Sequence, residues 1–446
     1  MSAFSFRQIF TFFPIGVAML IVTYLLGFTI GQSDFMPFIC YYAIFFGFYI
    51  AIFYFSKGEK TIWYFVGLGI LLRLVLVFAF PNLSDDIYRF IWDGRLINNG
   101  INPFNHLPGY FLETGNTVEG ITADLFENLN SPNYYTIYPP VSQGIFSLAC
   151  WVSPNSYYGA ALVMKGFMFL FECGSIYLIV QLLRYFNLPL KNVLIYALNP
   201  LIILEITGNL HFEGAMIFFL LLAIWLLVKK RNNLSAVVFA LSVVSKLLPL
   251  MFLPFLIKRL GWKKSLQYFF ILGLTLLVCF SPLLNQAFIN NFASSLDLYF
   301  KKFEFNASFY YLFRWIGTQV RGYNMIQILG PILGLTVLAT IIYRTYTEKK
   351  VSYKNIFSAF LFAICTYLFL ATTVHPWYVA MPLVLCIFTR FRFPVIWSAL
   401  IMLTYINYSY PEYFENLWVV GIEYLVVFGS LAFEVRSYYF KPLKGI

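Results

Sequence analysis

Charge is scarce in this sequence. Charged side chains make up 11% of its 446 residues, where a soluble domain carries about 25%. Apolar residues reach 61% and aromatic ones 21%, with 52 Phe, 33 Tyr and 9 Trp. A water-soluble fold of this length has too few polar groups to cover so much apolar surface. A soluble enzyme, a nucleic-acid-binding protein and a disordered scaffold are thereby excluded, and the lipid bilayer is the expected surrounding. Cysteine is sparse too. Cys40, Cys150, Cys173, Cys279, Cys365 and Cys386 fall almost entirely in apolar runs without framework or metal-ligand spacing, so they read as small core residues. The three histidines, His106, His211 and His375, stand roughly a hundred residues or more apart, which is no metal-site signature. A glycine-rich phosphate loop is missing as well, and with it the usual cradle for a nucleotide.

What is abundant is apolar sequence in lengths that suit a bilayer, about 20 residues per span. Twelve runs qualify: 8–30, 35–56, 61–80, 158–183, 192–207, 213–228, 265–282, 325–344, 356–373, 377–389, 393–408 and 417–434. With the N-terminus on the cytoplasmic side, inside connections hold 21 of the 30 Lys and Arg, from Arg7 through Lys263 to Lys441 and Lys444, and outside ones hold six. This asymmetry sets the expected orientation. Segment 234–257 is basic at both flanks and interrupted by Lys246 and Pro249, so it reads as two half-helices that enter and return. The expected fold is an all-α, multi-pass membrane protein. It is one integral domain over 1–446 of about twelve spans plus the re-entrant hairpin, with both termini inside.

The loop 81–157 is expected outside. It carries seven acids against two arginines, a local charge of −5 in a chain of net charge +11. A loop this long is usually functional. Ser84 begins a short helix with Asp85 and Asp86 in its first turn, favoured by the helix dipole. Asp86, Arg89 and Asp93 share one face, while Ile87, Phe90, Ile91 and Ile97 line the other. Such a helix is expected at the membrane interface, apolar face in lipid. A second external loop spans 283–324, and its amphipathic stretch 293–305, with Leu296 and Phe300 on the apolar side, is expected on the membrane surface. All three histidines fall at outer positions.

The run Ser-Asp-Asp-Ile-Tyr-Arg-Phe-Ile-Trp-Asp-Gly-Arg at 84–95, followed by Gly-Ile-Asn-Pro-Phe at 100–104, resembles the first external loop of bacterial GT-C mannosyltransferases. These are multi-spanning enzymes that use polyprenyl-phosphate sugars, distantly similar to the first mannosyltransferase of GPI-anchor synthesis. Tyr135 to Pro140, Asn199-Pro200, Gly208-Asn209 with His211 and Glu213, Lys246 with Pro249 and Pro254, and His375-Pro376-Trp377-Tyr378 also resemble family positions. The resemblance implies a GT-C-like fold and a catalytic aspartate in loop 81–157, placed on Asp86 or on its neighbour Asp85. It implies a polyprenyl-phosphate-linked sugar as donor, a glycan or lipid-glycan as acceptor, and an active site at the outer face of a bacterial cytoplasmic membrane.

The chemistry requires a carboxylate base for the acceptor hydroxyl and fixed cations for the departing phosphate; a single displacement would invert the anomeric centre. Candidate substrate-binding residues are Arg89, Asp93, Arg95, Tyr138, His211, Glu213, Lys246, Arg314, Arg321, His375, Trp377 and Tyr378. Lys246 is singled out because an ionisable group inside an apolar hairpin is a functional signal. Arg73 and Lys165, within spans, are expected to pair structurally, Lys165 with an acid such as Glu172 on its own helix. A divalent cation on the histidines is conceivable; sugar-shaping hydrogen bonds suit them better. The competing readings are a transporter or flippase of a lipid-linked saccharide, for which a second broken segment is wanted, and a glycan ligase or polymerase.

Overall fold

A computed structural model describes residues 6–412 and 414–440. The side chains of Arg7, Leu296 and Phe300, and residues Lys441 and Lys444, lie outside the described part. Each of the twelve apolar runs becomes helix. Among the described residues six helices are long and apolar enough to cross a membrane: Phe35–Phe55, Glu59–Val77, Tyr157–Tyr185, Trp262–Leu283, Ile326–Thr347 and Leu417–Ser437. A seventh span is formed if Leu190–Ala197 and Ile202–Gly208, bent by 55° at their break, are counted as one. Glu213–Val228, Ile356–Leu370, Pro376–Cys386 and Phe393–Tyr408 are shorter. At 1.5 Å per residue a 16-residue helix such as Glu213–Val228 measures about 24 Å, less than the hydrocarbon core of a bilayer. These short helices are wrapped by others, and Glu213–Val228 is buried along most of its length. Among the described residues the strand content is a single bridge, Phe305 to Thr373.

The break in the apolar run 192–207 frees backbone carbonyls inside the bundle, and a buried arginine receives them. Arg73 donates to Ala197 O at 2.6 Å, Tyr196 O at 3.1 Å and the Glu172 carboxylate at 2.9 Å. The Tyr196 hydroxyl donates to the other Glu172 oxygen at 2.5 Å. Lys165 therefore does not pair with Glu172. Its ammonium caps the end of Glu59–Val77, donating to Leu76 O at 3.0 Å and Ala79 O at 2.5 Å. An unsatisfied carbonyl in this apolar interior would cost several kcal/mol, so both cations are accounted for structurally.

Loop 81–157 folds into a cap with its own core. Its first helix, Asp86–Asn98, packs against Pro140–Val152. The approach is close at Gly94, where a Cβ would lie 2.4 Å from Phe146 O. Ile87, Phe90, Ile91, Trp92 and Leu96 are buried among Phe146, Leu125, Met164 and Phe212. This corrects the expectation of a helix floating with its apolar face in lipid: the partner of that face is the rest of the loop and the tops of Tyr157–Tyr185 and Glu213–Val228. In segment 234–257 the helix Asn232–Val243 stops before Lys246, and the chain resumes as Leu248–Phe252 and Pro254–Leu260. Helix Gln286–Lys301 of the second loop lies across the cap, with Phe288 and Phe292 on Phe104 and Ser295 donating to Tyr135 O at 3.2 Å.

Candidate active site

Beneath the cap lies a cavity of about 720 Å³. Its polar lining comprises Asp85, Asp86, Arg89, His211, Glu213 and Lys246, together with the rings of Tyr138, His375, Trp377 and Tyr378. Its apolar lining includes Leu247, Leu248, Met251, Val337 and Leu370, with Gly330 and Gly334 among them. Ten of the fourteen residues proposed from sequence thus meet around one space, from segments up to 293 positions apart (85 to 378).

Asp86 opens the cap helix, and its backbone N–H reaches the Ser84 hydroxyl at 3.4 Å. One carboxylate oxygen accepts from Asn130 Nδ2 at 2.7 Å; the other stands 3.9 Å from His211 Nε2. Asp85 is open to water at the cavity mouth. The partly dry wall beside it, and secondarily the Asp86 charge, push its carboxyl above the ordinary range.

Arg89 and Asp93 form a buried clamp. Arg89 Nε donates to Asp93 Oδ1 at 3.0 Å, and its Nη1 donates to Ser131 O and Tyr134 O at 3.2 and 3.0 Å. Asp93 also accepts from Thr136 Oγ1 and, at 2.8 Å, from Gln143 Nε2. Burial pushes its carboxyl up against the pull of Arg89. Asp93 has no surface on the cavity, a correction to its proposed substrate contact. What the clamp does is fix residues 131–136, and so the neighbouring Asn130 that holds Asp86.

Behind His211, in the buried interior, lies the segment Ile202–Gly208, a stretch of π-helix. Buried Glu205 accepts from Tyr405 Oη at 2.8 Å and Asn209 Nδ2 at 3.2 Å. Leu210 follows with φ of +64°, a conformation unfavourable for a branched residue. That turn aims His211 into the cavity, with Nδ1 2.9 Å from Glu205 O and 3.1 Å from the Glu205 carboxylate. The His211 ring stacks on Trp377 (centroids 3.7 Å apart), Trp377 on His375 (4.5 Å), and His375 on Phe305 (4.8 Å). Trp377 therefore has both faces covered and offers a ligand only its edge. His375 is half-buried, and desolvation first, then Lys246 and His211, lower its imidazole from the ordinary 6.5 to about 3.

Lys246 sits in the break after Asn232–Val243, its ammonium ion-paired with Glu213 and 4.7 Å from the centroid of the Tyr378 ring. Glu213 is almost fully buried at the N-terminus of its helix, whose dipole favours a carboxylate there. Lys246 and Arg89 are the cations on the cavity wall among the described residues.

Three further candidates lie elsewhere. Arg95 binds Gly120 O and Pro154 O at 2.6 and 2.8 Å with its guanidinium over Tyr157. Arg314 pairs with Glu304 over the Tyr311 ring, and Arg321 is exposed at the end of helix Phe309–Arg321. Their charges are engaged in loop architecture or open to solvent. His106 stacks on Tyr110 away from the other two histidines, and among the described residues no three His, Cys, Asp or Glu side chains are placed to hold a metal ion. Sequence reasoning missed Asn130, Glu205 and Tyr405. Glu205 carried a signal, being an acid in the middle of an apolar run; Asn130 and Tyr405 carried none.

Residues 16–261 match the sequence profile of a family described as alpha-(1->6)-mannopyranosyltransferase, N-terminal domain. The matched region contains Asp85, Asp86, Arg89, Glu205, His211, Glu213 and Lys246. Alpha-(1->6)-mannopyranosyltransferase A of Corynebacterium glutamicum is 23% identical over 183 residues, which are 41% of this chain and 36% of that protein. The match thus spans about a third of the length of that curated relative.

Proposed function

The chain belongs to the alpha-(1->6)-mannopyranosyltransferase family, and from that premise we propose that it transfers mannose from a polyprenyl-phosphate donor to an acceptor hydroxyl, with Asp86 as general base. The observation that carries this reading is the mixed lining of the cavity. Asp86, His211 and Lys246 line it together with leucines, a valine and glycines, the mixture of polar and apolar surface that a sugar phosphate on a long hydrocarbon tail requires. In this reading the acceptor O–H gives its proton to Asp86 as its oxygen attacks the anomeric carbon. The bond to the phosphate breaks with its electron pair leaving on oxygen, beside Lys246. Arg89 and Asp93 hold the cap in place, and Asn130 keeps Asp86 aimed. A single displacement that makes an alpha linkage needs a beta-linked donor.

The fuller membrane topology belongs to the same proposal: twelve spans, the 234–257 segment as a re-entrant hairpin, cytoplasmic termini, and a cavity facing outward from a bacterial cytoplasmic membrane. The split of basic residues supports it, as does the helix break at Lys246. Purified protein incubated with beta-linked polyprenyl-phosphate mannose and a mannoside acceptor should release polyprenyl phosphate and form an alpha-linked product. No release from any polyprenyl-phosphate sugar, with movement of the lipid-linked sugar across liposomes, would replace this reading by a transporter.

A further inference from the structure

We propose that His211 takes the acceptor's proton onward from Asp86 during transfer, held for that step in one orientation by Glu205. The inference rests on Asp86 being the base, as read above. Its own support is geometric. His211 Nδ1 is occupied by Glu205, through both the backbone carbonyl at 2.9 Å and the carboxylate at 3.1 Å. When the ring is neutral, these two acceptors fix its proton on Nδ1 and leave Nε2 with its lone pair. Nε2 is buried, has no hydrogen-bond partner among the described residues, and stands 3.9 Å from Asp86 Oδ2. The other Asp86 oxygen is already engaged by Asn130, so Oδ2 is the one available to a substrate proton.

With the ring neutral, two lone pairs face each other across this gap before reaction, which is poor complementarity. Once Oδ2 has received the proton, an O–H faces a lone pair instead. The arrangement thus suits the state after proton abstraction better than the resting one, as a catalytic site should, and hydrogen bonds of this kind commonly shorten when substrate binds. The step balances. The acceptor O–H bond breaks and its oxygen bonds the anomeric carbon, while the phosphate leaves with the electron pair of the old bond. The proton passes by way of Asp86 to Nε2, and the imidazolium that results lies against the Glu205 carboxylate. It then loses the proton to water. The Trp377 face at 3.7 Å keeps the ring from turning. Glu205 is a positioning residue in this scheme, itself fixed by Tyr405 and Asn209.

The test uses the full chain with beta-linked polyprenyl-phosphate mannose and a mannoside acceptor. His211→Ala should lower kcat by roughly 10²-fold with little change in KM for either substrate. Added imidazole should restore a substantial part of the rate, whereas pyrazole, of the same shape but a far weaker base, should not. Glu205→Gln should lower kcat in the same sense and gain nothing from imidazole. Equal rescue by both azoles would make His211 a packing residue, and an unchanged kcat or a folded variant that neither azole rescues would overturn the relay. If His211→Ala does not elute as a folded protein, His211→Gln carries the test, and a kcat equal to that of the parent refutes it. Asp86→Asn is measured beside them. Its inactivity with an unaffected His211 variant removes the relay alone, whereas its retained turnover removes Asp86 as base as well.

Discussion

The Glu213–Lys246 pair makes opposite predictions for its two members. Lys246 reaches into the cavity with 29% of its side chain exposed, while Glu213 is 1% exposed behind it. In the empty cavity the ammonium is neutralised by Glu213 and rests over the Tyr378 ring. A hydrogen bond between charged groups contributes about 1.5–3 kcal/mol, and each 1.4 kcal/mol is tenfold in affinity. Lys246→Met should therefore raise the donor KM by roughly 10- to 100-fold, less whatever the lysine gives up on leaving Glu213. Glu213→Gln keeps a hydrogen-bond acceptor but releases the charge, so the donor phosphate no longer competes with a carboxylate, and the donor KM should fall. Initial rates over a range of beta-linked polyprenyl-phosphate mannose, at saturating acceptor, read both effects. A donor KM that stays constant in Lys246→Met, or that rises in Glu213→Gln as it does in Lys246→Met, would refute the assignment of Lys246 to the phosphate and leave the pair as a structural brace.

Three other outcomes are expected. Cysteine introduced near Gly115 should react with an impermeant thiol reagent from the outer side of intact cells, and one near Lys263 should not; the reverse pattern would turn the orientation over. Asp93→Leu leaves the Arg89 guanidinium buried without its carboxylate and should cost about 3–5 kcal/mol of stability, seen as a lower Tm in detergent, whereas Arg89→Met with Asp93→Leu should recover part of it. The native His375 imidazole binds its proton only near pH 3, while the unfolded chain binds one near 6.5. Over that window the unfolded state holds more protons, so stability falls as the pH is lowered, and His375→Gln should flatten the fall in Tm between pH 6.5 and 4.

Much of the architecture is legible in the sequence because hydrophobic run length reports directly on helices in lipid. The twelve runs all fold as helix, and the first-loop motif leads to the cavity wall. What stays hidden follows from packing. The Asp86–Asn98 helix has the pattern of an interfacial helix, and nothing local reveals that Phe146 and Phe212 cover its apolar face. Asp93 and Arg89 look alike as charges on a helix face; only the fold shows that one is sealed in by Thr136 and Gln143 while the other keeps an edge on the cavity. His211 and Glu213 flank Phe212 and would diverge on a helix. They converge because the turn at Leu210 precedes the helix and leaves His211 outside it. Asn130 was invisible, since a single amide in an Asn-rich loop has no pattern. Glu205 was visible as an acid in an apolar run, yet its partner, Tyr405, lies 200 residues away.

The central claim, that the Asp86 carboxylate receives the acceptor's proton, is tested most directly by single-turnover transfer from beta-linked polyprenyl-phosphate mannose in Asp86→Asn and Asp85→Asn. Asparagine keeps the size of the side chain and much of its ability to cap the helix, so stability should change little. Loss of a general base costs roughly 10²–10⁴-fold, and that loss is expected in Asp86→Asn, while Asp85→Asn keeps its rate within a few-fold. Near-normal transfer by Asp86→Asn with loss in Asp85→Asn would move the base one residue back, and near-normal transfer by both would contradict the assignment of the chemistry to this loop.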